Sequence, residues 1–141
     1  MLNRIHPEIA ETWLNNGGVE TKQQLGDQID NYCGRILRKA RVILEVEHHN
    51  NKYGVIHAGV PLVRNIYKWQ DIIELAMSDD SYLELLLWDR EAIKATSNNI
   101  SLLPPIEGID YVIHGHTPIY SPILYGNRLW IDTLYAQDAL T

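Results

Sequence analysis

A chain of 141 residues is one domain's worth of sequence and long enough to bury a core. Apolar residues make up 45% and charged residues 21%, the balance of an ordinary globular protein, and a net charge of −6 speaks against a surface for indiscriminate binding of nucleic acid or anionic lipid. The single cysteine, Cys33, excludes an intrachain disulfide; no stretch approaches the roughly 18 apolar residues of a membrane span, and "MLNRIHPEIAETW" is not signal-like, so a cytoplasmic protein is expected.

"HPEIAETWLNN" opens with proline in a first helical turn and places Ile9, Trp13 and Leu14 at helical spacing. "NNGG" (15–18) stops that helix. A second, capped by Thr21, is expected to run to Lys39 on the spacing of Leu25, Ile29, Tyr32, Ile36 and Leu37. The period then changes. In "RVILEVEHH" (41–49), Val42, Leu44 and Val46 alternate as in a strand, "NN" at 50–51 signals a turn, and "KYGVIHAGVP" (52–61) reads as its hairpin partner. Residues 68–78 read as a helix, and "SDDSYLELLLWDREAIKA" as one more, started by Ser78 or an aspartate. "SLLPPIEG" is a loop. Three short strands close the chain, "DYVIHG", "SPILYG" and "RLWIDTL", the last two joined by a Gly126-Asn127 turn. The expectation is a single α+β domain over 1–141, helices first, with a largely antiparallel sheet.

Two strands end alike. "GVIHAG" delivers His57 at an apolar strand tip, and "YVIHGH" delivers His116 just past another, each beside small residues that leave the ring accessible. Neutral imidazole is a common metal ligand, and two converging tips make half of a metal site. Spacing alone leaves the commoner role open, a hydrogen-bonded core or rim histidine. Arg90, after the apolar run "LLLWDR", is a planar fork suited to phosphate, or a surface arginine paired with Asp89 or Glu91. "LGDQID" reads as a solvated helix face. His48 and His49, by strand alternation, point to opposite faces and do not chelate.

In this order, "WLNNGG", "VIHAGVP", "LLWDRE", "VIHGHTP" and "LWIDT" resemble the successive C-terminal motifs of the phosphoprotein phosphatases. The nearest branch is the bacterial and phage serine/threonine phosphatases of the calcineurin-like metallophosphoesterases. The likeness runs from about Trp13 to Thr133. It implies part of a sandwich of mixed β-sheets flanked by helices, with a pair of divalent metals, manganese or iron, with zinc as a further candidate. It implies that His57 and His116 ligate one metal, that Arg90 grips the substrate phosphate, and that His114 is a packed or rim residue.

The family's Asp-x-His, Gly-Asp-x-x-Asp-Arg-Gly and Gly-Asn-His-Glu motifs do not occur in this sequence, and Leu134 stands where the family has glycine. The resemblance therefore implies the C-terminal portion of a metal-dependent phosphatase acting on a phosphorylated protein or small phosphoester. Two imidazoles without carboxylates imply weak metal binding by this chain alone. Nucleic acid and membrane are not expected partners. A homo-oligomer, or a chain supplying the N-terminal half, is. Two other readings are a non-catalytic module that keeps the fold and a dinucleoside polyphosphate hydrolase.

Overall fold

The computed structural model describes residues 11–97 and 103–133. The expected helix start at His6-Pro7 and the turn at Leu134 lie outside them. The chain divides into two compact units, Met1–Arg41 and Val42–Thr141.

The first unit is helical. Residues 11–13 lead into a wide turn, Leu14–Gly18, in which Gly17 reaches φ 91°. Gly18 lies against the Trp13 ring, where an added Cβ would fall 2.5 Å from Cδ2. "NNGG" thus kinks the helix, and α1 (Val19–Leu25) follows directly. Thr21 does not cap; its hydroxyl donates to the Gly17 carbonyl. Nor does one helix run to Lys39. Gly26, at φ 50°, ends α1, a 3₁₀ turn spans Gly26–Gln28, and α2 covers Ile29–Leu37. The "LGDQID" stretch is the break itself, because a positive φ suits glycine and interrupts the helix.

The second unit opens with β1 (Ile43–His48) and β2 (Asn51–Ile56), an antiparallel hairpin in which His48 pairs with Asn51. Its two-residue turn is His49-Asn50, both at positive φ (48° and 64°), the hand that matches strand twist. The expectation that His48 and His49 point apart is therefore corrected. Alternation fails once His49 enters the turn, and the two rings stack with centroids 4.0 Å apart.

Three helices follow: α3 (Trp69–Ser78), α4 (Asp80–Trp88) and α5 (Glu91–Ser97). Asp79 caps α4, accepting from the backbone N–H groups of Ser81 and Tyr82 at 2.9 and 3.2 Å. The single helix expected from 78 onward is interrupted at Asp89-Arg90. Asp89 turns extended (ψ 134°), and its carboxylate accepts from Glu91 N at 3.1 Å to begin α5.

The closing strands are β3 (Tyr111–His114), β4 (Ile123–Tyr125) and β5 (Arg128–Trp130). The protein has an α+β fold with one mixed sheet, ordered β1-β2-β3-β5-β4. The sheet is not largely antiparallel. β3 runs parallel to both β2 and β5, and only the two hairpins, β1/β2 and β4/β5, are antiparallel. The long helical crossover between β2 and β3 makes the parallel return feasible, which a short turn cannot.

Pleating assigns the strands' side chains to two faces. One carries Ile43, Ile56, Val112, His114, Arg128 and Trp130. Ile56 and Val112 join Ile72, Tyr82 and Leu86 in the main core, and Trp130 joins Ala92, Ile93 and Leu103 in a second. Gly54 is on this face too, where a Cβ would collide with the Trp69 ring.

Candidate active site

Two strand ends and one helix junction meet at the C-terminal tips of β2 and β3. Gly115 N donates to the His57 carbonyl at 2.9 Å, carrying the β2/β3 ladder one step past the strands. Ala58 N donates to the Leu86 carbonyl at 3.0 Å, tying the β2 tip to the last turn of α4. The end of α4 in turn carries Trp88, Asp89 and Arg90.

His116 is held in an unusual backbone state. Its φ is 65°, and Thr117 N donates across it to the Gly115 carbonyl at 2.7 Å. A three-residue turn of this hand is rare and strained, and such strain concentrates at functional sites. The result is that His116 Nδ1 faces His57 Nε2 at 3.2 Å, with ring centroids 4.9 Å apart and tilted by 55°. Arg90 Nη2 stands 3.4 Å from His116 Nε2, and the Trp88 ring meets His116 edge-on at 5.3 Å.

His57 and Arg90 are exposed and His116 is half-buried. Burial, then the Arg90 charge, then the neighbouring His57 imidazole, hold the His116 pKa below the usual imidazole range, with Asp132 opposing. The ring is neutral at pH 7, the form that ligates a cation. Burial raises the pKa of Asp89, opposed by the N–H groups of Glu91 and Ala92.

The three residues singled out in the sequence are therefore brought together. Among the described residues Arg90 meets no carboxylate, so the surface-pair alternative is not what this structure forms. His114 is packed, at 1% exposure, against Trp130 with centroids 5.1 Å apart. The sequence does not mark Trp88 as a site residue. Its signal lay in a tryptophan two residues before the arginine at the end of an apolar run, and it is 56% exposed.

The geometry can be tested against a cation. At the roughly 2.1 Å imidazole–metal distance usual for zinc, two nitrogens at bond angles near 90–110° stand about 3.0–3.4 Å apart. The observed 3.2 Å lies in that range, and it is equally the length of a direct N–H···N hydrogen bond: Arg90 can only donate to His116 Nε2, so in the neutral ring Nδ1 carries the proton that His57 Nε2 accepts until a cation displaces it. Among the described residues no group of three His, Cys, Asp or Glu side chains gathers into a fuller cage. No protein-family model matches the chain.

Proposed function

We propose that this chain carries part of the active site of a metal-dependent phosphoric monoester hydrolase of the serine/threonine phosphatase type. The observation that supports it best is the 3.2 Å approach of His57 Nε2 to His116 Nδ1, with the Arg90 guanidinium alongside. His57 and His116 would hold one divalent cation, which when bound polarises a phosphoryl oxygen. Arg90 offers its planar fork to the remaining phosphate oxygens and orients the group by paired, charge-assisted hydrogen bonds. Trp88 walls one side of His116 and limits how far its ring can swing.

The carboxylate and asparagine ligands that the resemblance calls for are not in this sequence, so the chain alone is expected to bind metal weakly and to hydrolyse phosphoesters slowly. Binding is therefore the better test. Adding Mn²⁺ to the chain should broaden the ring NMR signals of His57 and His116 first, and His116→Ala should abolish the effect at His57. Inorganic phosphate should then perturb the Arg90 side-chain signals. Broadening confined to His48 and His49, or none at millimolar Mn²⁺, overturns the reading.

A further inference from the structure

The face of the sheet turned away from α3, α4 and α5 carries a row of apolar side chains that share one level. The pairings Leu44↔Val55, Val55↔Ile113, Ile113↔Leu129 and Leu124↔Leu129 run across all five strands. The ends of the row are the most open, Leu44 at 47% and Leu124 at 58% exposure. Beside it a second level holds Val46, Tyr53 and Tyr111, the two tyrosine rings stacked 5.8 Å apart, and ends in the small Gly126-Asn127 turn. No charged side chain stands in either level, although the chain as a whole carries −6.

We propose that this face binds a second copy of the chain, sheet against sheet, about a two-fold axis parallel to β3. Three observations select that occupant. The uncharged levels let two acidic chains meet there without placing like charges opposite each other. The first level reads nearly the same from either end, so the rotation sets Leu44 over the partner copy's Leu124, Val55 over Leu129 and Ile113 over itself, as an isologous contact requires. In the second level the rotation sets the bulky Val46 and Tyr53 of one copy over the small hairpin turn of the other, with Tyr111 on the axis. Sheets packed this way keep their strands roughly aligned.

The size of the patch sets the strength. Five strands at about 4.8 Å and two levels give a footprint on the order of 350 Å² per copy. A standard stable interface buries about 800 Å² per partner, so the dimer is expected to dissociate at micromolar concentrations. The dimer rests on this sheet alone, and a chain supplying the other sheet of the sandwich would compete for the same face.

The test is sedimentation velocity of the full chain from about 1 to 300 μM, a range that brackets such an equilibrium. The wild type should shift from monomer to dimer. Leu44→Lys and Leu124→Glu, each alone, should weaken association at least about tenfold, because each sets a desolvated charge against a leucine. Both substitutions fall at exposed row ends, so far-UV circular dichroism should remain that of the wild type. Met77→Lys, at an 84% exposed site on α3, should dimerise as the wild type does. Mixing Leu44→Lys with Leu124→Glu in equal amounts should restore the dimer, because the rotation brings Lys and Glu together across the interface. A wild type that stays monomeric at every concentration, single variants that still dimerise, or a mixture that does not recover each overturns the proposal.

Discussion

The two faces of the sheet divide polar from apolar in an unexpected way. The face under α3, α4 and α5 buries Ile56, Val112 and Trp130 but also His114 and Arg128, each at 1% exposure or less. The opposite face, with Leu44, Val55, Ile113, Leu129 and Leu124, is more open and has no charge in its two apolar levels. Among the described residues the Arg128 guanidinium donates only to the Val60 and Pro104 carbonyls, at 3.4 and 3.3 Å, and stacks over Tyr67 at 5.9 Å. Burial brings its pKa down to about 10, with Tyr67, Tyr82 and Asp89 opposing, so it stays charged at neutral pH. What a side chain meets is decided by which layer covers it. The covered face gains from packing and carries the cost of buried polar groups; the open face has the reverse.

The largest effect that sharpens this contrast comes from neighbouring residues of β5. Trp130, buried in the second core, should lose about 4 kcal/mol on replacement by alanine. Leu129, one residue earlier on the other face, should lose about 1 kcal/mol in dilute solution, since its side chain is already partly hydrated. Urea denaturation of Trp130→Ala and Leu129→Ala at low micromolar concentration measures both. Equal losses would mean that the open face is covered.

Next in size is the acid response of the covered face. Burial, reinforced by the Arg128 charge and opposed by the Ile56 backbone, pushes the His114 pKa from 6.5 down to about 3, and neither ring nitrogen makes a hydrogen bond of good geometry among the described residues. In the unfolded chain the ring titrates at its ordinary value, so between pH 6.5 and 3 the unfolded state binds more protons. The contribution is complete above pH 6.5 and is lost as pH falls towards 3, amounting to about 3 kcal/mol by pH 4. Asp79, whose pKa is lowered by its hydrogen bond to Ser81, acts in the same direction, so the difference between wild type and His114→Leu isolates the histidine. The variant should show the shallower slope between pH 6.5 and 4; parallel slopes would mean that His114 has access to solvent or to a partner.

These contrasts also mark what the residues could reveal in advance. Val42, Leu44 and Val46 announced a strand by alternation, and a strand is there, but the period cannot say which face another layer will cover. Leu44 and Val46 lie on the open one. The tips at His57 and His116 were legible because small residues beside a strand-end histidine leave its ring accessible, and their approach follows from parallel pairing of β2 with β3. That pairing was not legible, since nothing local distinguishes a parallel return from a meander. The break at Asp89-Arg90 is not legible, because neither residue is a glycine or proline and apolar residues resume at Ala92 and Ile93, yet that break is what frees Arg90 to reach His116. His49 was misplaced for a local reason, a positive φ at a residue type that adopts it more readily than most.

The smallest effect tests whether orphaned polar groups on the covered side carry a cost. The Tyr82 hydroxyl, on α4, is fully buried and has no hydrogen-bond partner among the described residues. Burial drives its pKa up to about 12 against the weaker pull of Arg128 and Arg64, so it remains a neutral phenol throughout the folded range. A hydroxyl taken from water without a replacement bond costs about 1–3 kcal/mol, while the ring itself packs in the core with Ile72 and Leu86. Tyr82→Phe keeps the ring and removes the orphan. It should raise stability by about 1 kcal/mol at pH 7, less than the full cost because a small void is left where the oxygen was. Thermal unfolding of the two proteins decides it. A loss of 1 kcal/mol or more instead would show that an ordered water bridges the hydroxyl, and that the covered face is solvated where Arg128, Tyr82 and His114 lie.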